Sequence, residues 1–416
     1  MPGPESLRLA EELRRYESRN VTHVTGAWPV FWERAAGTNV WDADGNRYID
    51  LTSAFAVCGL GHGREELVEA MTRQAGVLMH GMGDVHPTRL KVELCRAISA
   101  LTYERWGSGP GKTVLANSGF EAVETALKTA LLATGRGRIL AFEHAYHGLG
   151  YGALMGTGMQ KFRQPFARHL GSDTDWISFP RDEGGLEVLE RQLGEVDAKK
   201  VGALLVEPVQ GRGGVLVPPD GFLRRLREWC EVHGVVLIFD EIYTGFHRTG
   251  PMFACEREGV VPDLICLGKA MSGGFPISAC VGRVDVMDAW PVSRGEALHT
   301  STFLGHPVGC AMALEALRLH EAPETVAAVA RGARMLEEML RGLSGDGITE
   351  VRGRGMMWAL ETSEPGRPVR MMEEMLREGV FILPSGDRGQ VLSFSPPFGI
   401  GEEEIRYCGE LLQRLL

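Results

Sequence analysis

Val235-Val236-Leu237-Ile238-Phe239-Asp240-Glu241, followed further on by Asp263-Leu264-Ile265-Cys266-Leu267-Gly268-Lys269, decides how this chain folds. Each run is continuous, apolar and partly β-branched, with no polar alternation. Such runs predict strands buried on both faces, as in the middle of a parallel sheet. Each ends abruptly, one in Asp240-Glu241 and the other in Gly268-Lys269. If the two strands are parallel, Asp240 and Lys269 leave the sheet at the same edge, where open α/β sheets bind ligands. A carboxylate and an amine at the exits of buried strands are costly unless they pair with each other or with a ligand.

An ordinary buried ion pair meets that requirement. So does one cofactor: pyridoxal phosphate needs a lysine for its Schiff base and an acid that keeps its ring nitrogen protonated. This stretch alone leaves both open. Lysine usage adds a hint. The chain has only Lys91, Lys112, Lys128, Lys161, Lys199, Lys200 and Lys269, and its other basic positions are nearly all arginine. A lysine kept between an apolar strand and Ala270-Met271-Ser272-Gly273-Gly274 suggests chemistry that arginine does not do, since a desolvated amine can act as a nucleophile.

The 416 residues suffice for two domains, or one large domain with an appendage. The net charge of −10 argues against nucleic acid and against an anionic membrane surface as partners. No apolar run reaches the roughly 18 residues of a membrane span. Met1 to Asn20 is charged and helical in pattern, unlike a signal peptide. The eight cysteines are scattered, without the paired spacing of a metal site, and read as reduced core residues of a cytoplasmic protein.

From Thr113 onward strands alternate with helices, which predicts an α/β fold with a largely parallel sheet. Strand candidates are Thr113–Ala116, Ile139–Phe142, Ala203–Val206, the two opening runs and Ile277–Val281. The texture changes after Gly305-His306-Pro307. A helix of about 308–320 leads to a long amphipathic one of about 323–343. Short strands follow at 348–352, 356–361, 380–383 and 391–394, then a last helix at about 401–416. The expected organisation is an N-terminal segment, 1–50, belonging to a smaller α+β domain; a large domain, 51–307; and the rest of the small domain, 308–416.

Four further stretches carry candidate chemistry. Asn117-Ser118-Gly119-Phe120-Glu121 follows a strand and opens a helix. Ser118 and Glu121 fit a capping box, and the same helix start, with Gly119 allowing close approach, could seat a phosphate. Tyr146 in Ala145-Tyr146-His147-Gly148 is either core or a ring that stacks on a flat heterocycle; His147 reads as fixing the turn, without a catalytic part. Glu207 ends a strand as Asp240 does, and two acids there repel unless something cationic lies between them. Thr300 to Pro307 is a polar loop whose hydroxyls could serve a phosphate.

Together these pieces resemble the class III aminotransferases, of fold type I among the pyridoxal-phosphate enzymes. The likeness runs from about Val30 to Pro397 through Asn117–Ala122, Tyr146–Gly148, Glu207-Pro208-Val209-Gln210-Gly211, Asp240–Phe246, Leu267–Lys269 and Thr302–Pro307. The resemblance implies a large domain with a mostly parallel seven-stranded sheet flanked by helices. It implies that Lys269 is the Schiff-base lysine and proton carrier and Asp240 the partner of the ring nitrogen. Ser118 and Gly119 would bind the phosphate, and Tyr146 and Ile242 would cover the two ring faces. Thr302 would reach the phosphate of the neighbouring subunit in a homodimer with shared sites. Glu207 and Tyr243 would face the substrate, with the Tyr243 hydroxyl directed at the cofactor's phenolic oxygen. The implied reaction moves an amino group from a primary amine or amino acid to a keto acid or aldehyde in a ping-pong cycle. A mutase, racemase or decarboxylase would keep the same cofactor residues, and so would a non-catalytic binding homodimer.

The chain departs from the family where a substrate carboxylate is held. Ser393 stands where many members carry an arginine just before Pro396-Pro397, and Leu383 stands where another branch carries a mobile one. Neither clamp is present, which counts against an acetylornithine, ornithine or 4-aminobutyrate enzyme. Without that arginine, Glu207 is expected either to favour a second amine on the substrate or to meet another cation, with Arg212, Arg163, Arg168 and Arg388 as candidates. Phe120 and His306 also differ from the common threonine and asparagine, as Tyr243 does from a frequent glutamine.

Overall fold

In the computed structural model, which describes residues 2–22 and 29–416, the helix Pro4–Tyr16 is followed by three short strands: β1 (Trp32–Ala36), β2 (Asn39–Asp42) and β3 (Arg47–Asp50). The next seven form one sheet: β4 (Gly111–Ala116), β5 (Arg138–Phe142), β6 (Thr174–Ile177), β7 (Val201–Val206), β8 (Val236–Asp240), β9 (Leu264–Leu267) and β10 (Ser278–Arg283). Their order is β4-β10-β9-β8-β7-β5-β6, the expected seven-stranded α/β sheet. All neighbours pair in parallel except β10, which runs antiparallel to both β4 and β9. The connection from Leu267 to Ser278 is too short for the helical crossover that a parallel pair requires, so the chain turns back instead.

Strands β7, β8 and β9 are buried along their whole length. Their side chains alternate between two cores, as strand geometry demands. Leu237, Phe239, Ile265 and Leu267 point into one core, with the helices Arg89–Ser99 and Pro307–Glu321. Val236, Ile238, Leu264 and Cys266 point into the other, against Ala122, Val123, Ala126 and Ala130 of the helix Gly119–Thr134. Each such side chain contributes roughly 1.5–3 kcal/mol by leaving water. The edge strand β6, Thr-Asp-Trp-Ile, is only half-buried and has no apolar periodicity, which hides it from a reading of the sequence.

The remaining strands are β11 (Ile348–Arg354), β12 (Met357–Thr362), β13 (Val380–Phe381), β14 (Leu383–Ser385) and β15 (Val391–Phe394). They form the sheets β1-β2-β3-β13 and β11-β12-β15-β14. The expected strand 380–383 is thus divided between two sheets: β13 pairs in parallel with β3, and β14 pairs antiparallel with β15. Leu383 and Ser393 are direct partners across β14 and β15, and the Ser385 and Ser393 hydroxyls touch.

The chain divides into two units, Glu65–Ala322 and the segments up to Arg64 and from Pro323 to Leu416. The expected boundaries at 50/51 and 307/308 fall short of these. Pro307–Glu321 buries Cys310, Ala313 and Leu317 in the core of the large sheet. Leu51 instead packs with Val329, Leu336 and Trp358 in the core of the other unit, and Phe398 N–H donates to the Gly59 carbonyl.

Candidate active site

Asp240 is the last residue of β8, in register with Cys266 of the parallel strand β9. It therefore opens at the carboxyl edge of the sheet, yet it is only 4% exposed. Its Oδ2 lies 2.7 Å from His147 Nδ1, and its Oδ1 accepts the Ile242 N–H at 3.1 Å. An ionised carboxylate only accepts, so Nδ1 of His147 donates. The other ring nitrogen of His147 is buried and has no partner among the described residues. Glu241 points elsewhere: it accepts the Ala254 and Cys255 N–H groups and the Thr244 hydroxyl, and it secures the following turns. Two consecutive acids thus serve a site and a scaffold respectively.

Lys269 follows β9 and Gly268 at the same edge. Its backbone adopts φ 47°, a left-handed conformation unusual for a residue with a side chain. Such strain persists where the surroundings hold it, commonly at functional sites. Nζ sits 4.4 Å from the centre of the Tyr243 ring. Burial lowers the pKa of the amine; the carboxylates of Asp240 and Glu207 oppose that, and the charges of Arg212 and Arg248 add to it. The result is an amine more readily neutral, hence more nucleophilic, than an exposed lysine.

Glu207, just after β7, is 4% exposed, and its oxygens accept the backbone N–H groups of Tyr146 at 2.9 Å and Gly211 at 3.0 Å. No guanidinium lies within ion-pair distance of it among the described residues. Burial raises its pKa to about 7; the nearby His147 opposes this and Asp240 reinforces it. The group that the structure sets beside the two acids is the imidazole of His147, bonded to Asp240, in a role that its position in a Gly-bounded turn did not announce. Arg212 instead places its guanidinium over the rings of Tyr146 and Phe162, and Arg163 lies over Trp176.

The helix Gly119–Thr134 begins at this edge. Glu121 reaches back to the N–H groups of Asn117 and Ser118 and accepts a hydrogen bond from the Ser118 hydroxyl at 2.9 Å. The expected cap is therefore real, and it commits the one donor of the Ser118 side chain. Among the described residues the N–H groups of Gly119 and Phe120 have no acceptor, which leaves them open to an anion at the positive end of the helix. Ile242 packs over Gly119 and Gly268: a Cβ on Gly119 would come 3.0 Å from Ile242 Cδ1, so glycine there keeps the approach clear. Ser301 bonds to Asn117, whereas Thr302 is exposed and its hydroxyl has no partner within the chain among the described residues.

The class-III aminotransferase family model matches residues 20–416. This chain belongs to that family. It is 37% identical to a 4-aminobutyrate aminotransferase of Mycobacterium tuberculosis over 438 residues, covering 96% of this chain and 95% of that protein. It is 37% identical to an acetylornithine aminotransferase of Methanopyrus kandleri, covering 91% and 92%. An amine transaminase from an uncultivated Pseudomonas species, solved in the PLP-bound form, superposes with a TM-score of 0.86 at 28% identity, covering 96% of this chain and 98% of that one.

The protein is thus a pyridoxal-phosphate-dependent class III aminotransferase. The side chains at its sheet edge fit that cofactor. A buried carboxylate suits a protonated ring nitrogen, a desolvated amine suits imine chemistry, and an open helix start suits a phosphate. Lys269, Asp240, Ile242, Tyr243, Tyr146, Glu207, Ser118 and Gly119 all belong to the Glu65–Ala322 unit of the aminotransferase. Thr302 belongs to the same unit, but among the described residues its hydroxyl makes no bond to the phosphate-binding candidates of its own chain.

Proposed function

We propose that Lys269 is the residue to which the cofactor of this aminotransferase is joined, and that its Nζ carries the proton moved during transfer of the amino group. The observation that supports this most directly is the desolvated amine at the same sheet edge as the buried Asp240 carboxylate. Bound there, pyridoxal phosphate supplies a conjugated ring that withdraws electrons from the bonds of the attached amine. Asp240 holds the ring nitrogen in its protonated form, and His147 fixes that carboxylate from behind. The open N–H groups of Gly119 and Phe120 hold the phosphate, while Ser118, bonded to Glu121, caps the helix and shapes the seat. Tyr146 and Ile242 cover the two ring faces and exclude water, and Tyr243 packs beside the Lys269 amine. Glu207 orders the backbone of Tyr146 and of the Gly211 turn.

The exposed Thr302 hydroxyl supports a homodimer in which this residue serves the partner's phosphate. Eight cysteines without a disulfide among the described residues suit the cytoplasm.

An absorption spectrum tests the reading. The purified protein is expected to show the cofactor's visible band, roughly at 410–420 nm, and Lys269→Ala to lack it. Adding an amino donor should remove the band, and adding a keto acid should restore it. A band that survives in Lys269→Ala would refute the assignment of the lysine. Sedimentation at micromolar concentration tests the dimer.

A further inference from the structure

Arg212 is a cation whose position is fixed and whose charge is unanswered. It sits in the turn Gly211-Arg212-Gly213-Gly214 after β7. That turn is pinned from several sides. Glu207 binds the Gly211 N–H with one oxygen and the Tyr146 N–H with the other. The Gln210 side chain donates to the Glu143 carbonyl at 2.8 Å, and Gln210 and Leu216 exchange both backbone hydrogen bonds. At Gly213 a Cβ would come 2.9 Å from the His144 carbonyl oxygen, so the turn is packed tightly against the segment that leads into Tyr146.

The guanidinium carbon lies 4.9 Å from the Tyr146 ring centre and 5.1 Å from that of Phe162, and the two rings meet edge to face at 5.6 Å. Stacking of this kind restrains the planar group while leaving its edge N–H donors free. Other arginines of the chain use those donors on acids, as Arg138 does with Asp175 and Arg225 with Glu190. Among the described residues no carboxylate lies within ion-pair distance of Arg212, and the residue is exposed. Glu207, the acid of its own turn, is occupied by backbone amides. The charge of Arg212 is nonetheless felt at Lys269, where it disfavours a second cation.

We propose that Arg212 binds a carboxylate of the substrate, and so selects amino donors and acceptors that carry an acid group apart from the reacting centre. This rests on the reading of Lys269 as the reacting amine. The chemistry matches: a guanidinium restrained on two ring faces offers paired donors in the geometry of a carboxylate, and a substrate anion there relieves the repulsion between Arg212 and Lys269. Tyr146 then has two jobs, one face towards the cofactor and the other contact under the arginine. Arg212 is a specificity residue on this view and takes no part in proton transfer.

The test uses the cofactor-loaded enzyme and the variants Arg212→Gln and Arg212→Lys. Arg168→Gln, which removes the same charge from an exposed position in the short helix Gln164–His169, is the control. Calorimetry with pentanoate, an unreactive carboxylate, should show binding to the parental enzyme that weakens about tenfold or more in Arg212→Gln and less in Arg212→Lys. In kinetics, ω-amino acids from β-alanine to 6-aminohexanoate are compared with the amines of equal chain length that lack the carboxylate. The preference for the acid-bearing member should collapse in Arg212→Gln, chiefly through KM. Equal pentanoate affinity in Arg212→Gln and the parental enzyme overturns the proposal. So does parental enzyme that fails to bind pentanoate, or an equal loss in Arg168→Gln. Failure of the Lys269 reading shows separately, as the persistence of the visible band in Lys269→Ala, on which the pentanoate comparison does not depend.

Discussion

Nδ1 of His147 donates to Oδ2 of Asp240 across 2.7 Å, with both side chains buried. The bond joins the turn after β5 to the end of β8, with the exit of β7 and its Glu207 between them in the sheet order. Among the described residues Asp240 has one other donor, the Ile242 N–H. The imidazole is therefore the side chain that fixes the orientation of this carboxylate.

His147→Ala should accordingly weaken cofactor binding by about 2 kcal/mol, the scale of a hydrogen bond to a charged group, or roughly 30-fold in Kd. His147→Gln, which keeps a donor, should recover part of the loss. Titration of the cofactor-free variants with pyridoxal phosphate measures both. A Kd for His147→Ala within twofold of the parental value would contradict the role.

Glu207 makes stability depend on pH. Its pKa is about 7 in the folded protein against 4.5 for the free side chain. Between those values the folded state holds a proton that the unfolded state has lost, so stability falls as pH rises from about 4.5 to about 7 and levels off above. The span is about 3 kcal/mol by order of magnitude. Glu207→Gln should flatten that slope in denaturant titrations across the range. It should also cost stability at every pH, because an amide has one acceptor oxygen for two backbone N–H groups. A slope unchanged by the substitution would assign the dependence to other groups.

Lys269 offers a test of stored strain. Alanine at φ 47° retains the strain of the lysine backbone, whereas glycine does not. In cofactor-free protein Lys269→Gly should be more stable than Lys269→Ala by about 1 kcal/mol, although both lose the cofactor band. Urea midpoints of the two variants decide it, and an alanine variant as stable as the glycine one would show that the backbone is at ease there.

Much of this was legible in the sequence because burial on both faces writes itself as an unbroken apolar run. The exits of β7, β8 and β9, and with them Glu207, Asp240 and Lys269, followed from where those runs stop. The part played by His147 did not, since a histidine in a Gly-bounded turn carries no periodic signal and reads only as fixing the turn. The antiparallel course of β10 depends on a connection length rather than on composition. The boundary near Ala322 was misplaced because the helix Pro307–Glu321 follows a Gly-His-Pro break that resembles a linker, although it is buried in the large core. Arg212 was visible only as one of four candidate cations for Glu207; its stacking on Tyr146 and Phe162 depends on how two loops meet.

A second pH dependence lies in the smaller unit, where His62 Nε2 meets Asp50 Oδ2 at 2.8 Å, both buried. Asp50 also accepts the Thr52 N–H and hydroxyl and the Ala54 N–H. It thereby anchors Ser53–Ala56, four consecutive residues at φ between 47° and 63°. Such a left-handed turn without glycine is strained and needs this anchorage. Burial lowers the His62 pKa, but hydrogen bonds to Asp50 and Cys58 more than reverse that and lift it to about 9, from 6.5. A raised histidine pKa stabilises the fold fully below about pH 6.5, and that contribution is lost as pH rises through about 9. Thermal unfolding of the parental protein should therefore show Tm declining over that window, distinct from the lower window of Glu207. His62→Gln should abolish the decline and lower Tm at neutral pH by several degrees, roughly the effect of 1–2 kcal/mol in a protein of this size. If His62→Gln keeps the decline between pH 6.5 and 9, the Asp50 pair is not its source.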